Sequence, residues 1–182
     1  MVTISNLPVL LDRLCYRYPS LLVDAIAEQD PGRLVVVKNV TVNEEFFQGH
    51  FPGTPLMPAV LMIEALSQVA AILLLQTDRP RPNARVYLRG IDDAKFRRQV
   101  VPGDRLRLEV KLGRRRASLA RAHAAAFVGD ELVAEGKLLF GLIPDRTDID
   151  PTAIVHPRAQ VGEGTAIGPH AVIGPNVRLG AH

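Results

Sequence analysis

HFPGTPLMPAVLMIEALSQVAAILLLQ, residues 50–76, is the stretch around which the rest of the chain must fold. Pro52, Pro55 and Pro58, with Gly53 between them, exclude regular structure through most of its first part. Pro58 falls where a helix tolerates proline, in the first turn. From Pro58 to Gln76 the residues are apolar nearly all round, which predicts a helix buried on most of its sides. Its length borders on that of a membrane span. Glu64, Ser67 and Gln68 lie inside it, however, and a charge within a bilayer is costly, so no membrane insertion is expected.

Working outward, NLPVLLDRL at 6–14 has leucines at helical spacing and predicts a short amphipathic helix. Leu21–Val23 and RLVVVKNVTV at 33–42 suit strands. Beyond the proline-containing loop at 77–83, strands are predicted at 85–96, 104–113, 116–128 and 131–142. Leu106, Leu108, Val110 and Leu112 alternate with Arg107, Glu109 and Lys111, the pattern of a strand with one wet face. Gly129-Asp130 reads as a two-residue hairpin turn. The expected class is α+β, one long buried helix against an antiparallel sheet of about five strands.

The 182 residues are 47% hydrophobic and only 5% aromatic, so the core must be mostly aliphatic. A net charge of +3 is too small to argue for nucleic acid but suits an acidic partner. Basic residues cluster at Lys95, Arg97 and Arg98 and again at Arg114, Arg115 and Arg116. Such clusters serve either as solvated surface or as a docking patch. Cys15 is the only cysteine, and the N-terminus lacks the pattern of a secretory signal. Both fit a reducing, cytoplasmic setting.

Glu64, Ser67 and Gln68 stand at i, i+3 and i+4 and share one helix face. A carboxyl in an apolar slot favours its protonated form and suits a general acid, although a Glu merely tolerated beside Gln68 is also possible. His50 is of the type that suits a general base. The turn at Gly53 and the helix start at Ala59 offer backbone N–H groups to an enolate-like oxygen. Acid, base and oxyanion site together suit elimination of water β to a thioester.

HFPGTPLMPAVLMIEALSQ at 50–68 closely resembles the signature of the FabZ-type β-hydroxyacyl-acyl-carrier-protein dehydratases. RYPSLLVD at 17–24, VNEEFFQGHFPG at 42–53 and GIDDAKFRRQVVPGD at 90–104 match the same family in the same order. The resemblance covers residues 5 to about 142 and implies the hotdog fold, a sheet wrapped around one central helix. It further implies a dimer in which His50 of one subunit faces Glu64 of the other, and an assembly into a trimer of dimers. His50 would remove the C2 proton, and Glu64 would protonate or position the leaving hydroxyl. The implied partner is an acyl carrier protein, docked on Lys95, Arg97, Arg98 and Arg114–Arg116, with Tyr87 at the mouth of an acyl tunnel. The chain departs from the family at Cys15 and Tyr16, where proline and histidine are usual, and at Ala59, where glycine is usual. Alanine keeps its backbone N–H, but its methyl group narrows the pocket. The rival readings are a hotdog thioesterase and a non-catalytic oligomerisation module.

The last part changes character. Ile149, Val155, Val161, Ile167, Ile173 and Leu179 recur at every sixth position. This is the hexapeptide signature of a β-helix, and residues 149–182 resemble the start of the lipid A (UDP-N-acetylglucosamine) acyltransferases. The implied structure is a short left-handed β-helix-like fragment. The expected organisation is a dehydratase domain over 1–144, a linker at 145–148 and the repeat segment at 149–182. An acyltransferase's catalytic histidine and substrate sites would lie beyond His182, so His156 and His170 are expected to be exposed repeat residues. So few repeats are expected to fray unless neighbouring tails stack on them.

Overall fold

The computed structural model describes residues 14, 16–77, 85–116, 119–143, 148–162 and 165–180. The chain separates into two compact units, one of residues 1–80 and 86–142, the other of residues 81–85 and 143–182. The predicted helix at 6–14 lies almost wholly outside the described residues.

The first unit is a six-stranded sheet around one helix. The strands are β1 (Ala25–Asp30), β2 (Arg33–Asn39), β3 (Arg85–Phe96), β4 (Arg105–Arg116), β5 (Leu119–Val128) and β6 (Glu131–Ile143). Their order in the sheet is β1-β2-β4-β5-β6-β3. The pairs from β1 through to β6 are antiparallel. The helix, α1, spans Ala59–Thr77 and packs on β2, β4 and β5. This is the expected hotdog arrangement, with one strand more than anticipated.

Apolar patterning explains the packing. Leu34 and Val36 of β2, and Leu106, Leu108 and Val110 of β4, turn one face of the sheet toward the helix. On β5 the inward positions are Ala120, Ala122, Ala124 and Ala126, all buried. These short side chains leave room for Leu66, Ile72, Leu73 and Leu74 of α1, which fill the core. The helix is long and apolar enough to cross a membrane by composition, yet most of it is buried within this unit. Leu66 is 0% exposed. Leu66→Ala is therefore expected to destabilise the protein by about 2–5 kcal/mol, read as a lowered denaturant midpoint. A cost below about 1 kcal/mol would contradict this packing.

Two strand predictions need correction. Leu21–Val23 is not a strand, and β1 begins only at Ala25. Leu22 and Val23 are buried, but the Leu22 N–H donates to the Gln68 side chain at 2.8 Å, so a helix side chain takes the place of a ladder partner. β2 stops at Asn39 rather than 42, where the Asp24 carboxylate accepts the Asn39 N–H at 2.6 Å. The hairpin between β5 and β6 falls at Gly129-Asp130. Gly129 takes φ +57° at the first central position, where type II′ turns place glycine. β4 runs on through Arg114–Arg116, past its predicted end at 113, and β5 begins at Leu119 rather than 116.

In the second unit six two-residue strands follow, β7 (Asp148–Ile149), β8 (Ile154–Val155), β9 (Gln160–Val161), β10 (Ala166–Ile167), β11 (Val172–Ile173) and β12 (Arg178–Leu179). They pair in parallel as β7 with β10, β8 with β11 and β9 with β12, each partner three hexapeptides further along the chain. Of the recurring apolar residues, Ile167 is buried and Ile149 is exposed. His170 is exposed, whereas His156 is half-buried.

Candidate active site

A short 3-10 turn, Glu45–Gln48, delivers the chain to His50. Phe47 is buried and anchors this turn in the core. The His50 N–H donates to the Phe46 carbonyl at 3.0 Å, and the Leu56 N–H donates back to the His50 carbonyl at 2.9 Å. The loop between them closes on itself through paired bonds of Phe51 and Thr54.

The imidazole is oriented by its own contacts. His50 Nδ1 lies 2.8 Å from the Leu56 carbonyl oxygen, and the ring stacks on Phe51 at 4.0 Å between centroids. A carbonyl oxygen only accepts, so Nδ1 must carry the hydrogen. In the neutral ring Nε2 is then left with a lone pair, the state a base requires.

His50 opens on a cavity of about 350 Å³. Leu56, Met57, Ala59 and Met62 line one side, and residues 96–100 line the other. The two walls are joined where the Met57 N–H donates to the Val100 carbonyl at 2.8 Å. Arg97 and Arg98 of this wall are expected from the sequence only as docking residues, and Phe96, Gln99 and Val100 are not anticipated as part of the site; the motif GIDDAKFRRQVVPGD at 90–104 was the available signal. Ala59 is the first residue of α1, so its N–H has no acceptor within the helix. Ala59 lines the same cavity as His50.

Glu64 is half-buried and is not among the residues lining this cavity. Its Oε1 accepts a hydrogen bond from Gln68 Nε2 at 3.0 Å. Gln68 is 0% exposed, and its other bonds set the direction of its amide. Its Oε1 accepts the Leu22 N–H at 2.8 Å, and its Nε2 also donates to the Ser20 carbonyl at 2.8 Å. The helix face of Glu64 and Gln68 is therefore tied to the segment entering β1. One copy of the chain brings His50 and Ala59 together but does not bring Glu64 into their cavity.

The remaining expected site residues spread out. Gly53, expected to offer a backbone N–H, is exposed with φ +77° in the turn and does not line the cavity. Tyr87 is exposed on β3 and does not line it either. A side chain at Gly141 would run into the Tyr87 ring, so Tyr87 lies against β6. Arg97 and Arg98 do line the cavity. Arg97 pairs with Glu135, and Arg98 with Asp104 and Glu131, both at 3.3 Å. Lys95 lines a separate hollow, with Glu109, Lys111 and His123, on the sheet face turned away from α1. Arg114, Arg115 and Arg116 are exposed at the end of β4. Among the described residues no group of His, Cys, Asp and Glu is arranged to hold a metal.

Comparison with known proteins gives this geometry a family. The model of the FabA-like domain matches residues 15–137. The 3-hydroxyacyl-[acyl-carrier-protein] dehydratase FabZ of Alkaliphilus metalliredigens is 52% identical over 134 residues, covering 73% of this chain and 90% of the relative. FabZ of Desulforamulus reducens is 53% identical over 131 residues, covering 71% and 91%. Among solved structures, the dehydratase heterocomplex ApeI:P of Xenorhabdus doucetiae superposes with a TM-score of 0.59 at 12% identity, covering 74% of this chain and 90% of that one. The chain belongs to the FabA-like family as a FabZ-type enzyme, which dehydrates 3-hydroxyacyl groups carried on acyl carrier protein in fatty acid biosynthesis.

Proposed function

We propose that His50 is the general base and that Glu64 of a second copy of the chain is the acid. His50 Nε2 takes a proton from C2 of a (3R)-hydroxyacyl thioester. The thioester oxygen gains enolate character and is held by the Ala59 N–H at the start of α1. Glu64 then gives its proton, directly or through a water, to the departing C3 hydroxyl. Water and a trans-2-enoyl thioester are the products, and no cofactor is required. The observation carrying this reading is the separation within one chain. The base opens on a cavity that Ala59 also lines, and the carboxyl, bonded to Gln68, does not line it.

A second copy is favoured by the sheet edge. β3 ends the strand order and is long, Arg85–Phe96, with Ile91 46% and Phe96 44% exposed. A long edge with exposed apolar residues is a template for pairing. Edge pairing of two such sheets would make the dimer, and a trimer of dimers is the larger assembly we propose. The acyl chain would run along α1, with Tyr87 near the mouth. The acidic carrier protein would dock on Lys95, Arg97, Arg98 and Arg114–Arg116, in the cytoplasm.

For the repeat segment, 149–182, we propose a left-handed β-helix fragment related to the lipid A acyltransferases, joined through 145–148 to a dehydratase domain over 1–144. The ladders between strands three hexapeptides apart support it.

The chemistry is tested by supplying hydroxyacyl carrier protein and following both products. The expected result is conjugated enoyl thioester with no free thiol. Release of thiol with no enoyl product would replace this mechanism by hydrolysis.

A further inference from the structure

β2 carries an anomaly. Leu34, Val36 and Lys38 alternate on the face turned to the core, and Lys38 is 3% exposed. A lysine in such a place is costly unless paired. Lys38 Nζ donates to Glu44 Oε1 at 2.5 Å and to the Asn39 carbonyl at 3.3 Å. The Glu44 side chain is itself largely covered, at 17% exposure.

Glu44 sits immediately before the 3-10 turn that leads to His50. Its carboxylate makes no capping bond to that turn and is directed to Lys38 instead. The backbone then continues the tie. The Glu44 carbonyl accepts the Phe47 N–H at 3.1 Å, and the Phe46 carbonyl accepts the His50 N–H at 3.0 Å. The far side of the same region is held as well. The Val40 N–H donates to the Asp104 carbonyl at 2.9 Å, and the Gly103 N–H to the Val40 carbonyl at 2.8 Å. A third tie, from the Tyr18 hydroxyl to Glu45 at 3.0 Å, is exposed to solvent. An apolar pair would give comparable stability without desolvating two charges. In some proteins a buried ionic group instead fixes one conformation among several, and the Lys38–Glu44 pair is placed to do so for the loop it holds.

We propose that Lys38 is a positioning residue for His50: its buried pair with Glu44 sets the 3-10 turn so that His50 Nδ1 meets the Leu56 carbonyl and Nε2 faces the cavity. The proposal rests on His50 being the base. It requires that loss of the pair disturb turnover more than substrate binding, because misplacing a reacting group by about 1 Å costs on the order of 100-fold.

The test uses the full chain and measures kcat, KM and the ring nitrogen resonances of His50 by NMR. Lys38→Met is expected to lower kcat roughly 10- to 100-fold with KM changed less than about threefold. The His50 resonances should move away from the pure Nδ1–H tautomer. Lys38→Arg, which keeps the charge, should recover part of kcat. If Lys38→Met does not fold, the double variant Lys38→Met with Glu44→Leu removes both charges and leaves neither stranded. It is expected to show the same fall in kcat and the same change at His50. Either folded variant with wild-type kcat and unchanged His50 resonances overturns the proposal. His50→Ala, measured alongside, separates the two claims, since turnover in that variant would remove the base and not Lys38's tie to the turn.

Discussion

His50→Ala is expected to lower kcat/KM by about 100- to 10,000-fold, the range a positioned general base contributes. Nothing in the structure predicts a matching loss of stability. The imidazole is only half-buried, and the bonds that shape its loop are made by the backbone of His50, which alanine retains. The Leu56 carbonyl loses one donor, but it borders a cavity that admits water. The variant should therefore keep its thermal midpoint and its assembly while losing turnover. Enoyl product formed at near-normal rate would show that the proton is taken by another group.

Glu64→Gln is expected to lower kcat by a comparable factor, about 100-fold or more, and its interpretation is cleaner. Gln68 Nε2 donates to Glu64 Oε1, and a glutamine carbonyl at the same place accepts that bond equally well. The network to Ser20 and Leu22 stays closed. What the substitution removes is the transferable proton. KM should change little, because in the proposed mechanism Glu64 meets only the departing hydroxyl. A variant that retains near-normal turnover would reduce Glu64 to a structural partner of Gln68.

Much of the fold was legible because two patterns were unambiguous. Residues 59–75 are apolar without interruption except at 64, 67 and 68, which announces a buried helix. Leu106, Leu108 and Val110 alternate with charged residues, which announces a strand with one wet face. The misreading at Leu21–Val23 has a physical cause. Buried aliphatic residues look like a strand, but here the Gln68 side chain supplies the hydrogen bonds a neighbouring strand would make. A side chain arriving from more than 40 residues away leaves no local signal.

The site was legible in its residue types and less so in its layout. His50 and Ala59 share a cavity as expected, because a short proline-bounded loop joins them. Gly53 takes a positive φ in the turn and does not line that cavity. The wall at 96–100 comes from a distant strand end and depends on the Met57 to Val100 bond, which spacing does not reveal. Lys38 escaped notice because a lysine in a strand normally marks its wet face. Only the register with Leu106 turns it inward.

The central claim is that His50 and Glu64 act together only across two copies of the chain. It is tested by co-assembling His50→Ala subunits with Glu64→Gln subunits, each inactive alone. In a mixed dimer one site would carry both substitutions and the other neither. Random mixing makes half the dimers mixed, so about a quarter of wild-type activity should return. No recovery, with mixed dimers verified by mass spectrometry, would place both residues of each active site in one chain and contradict the account.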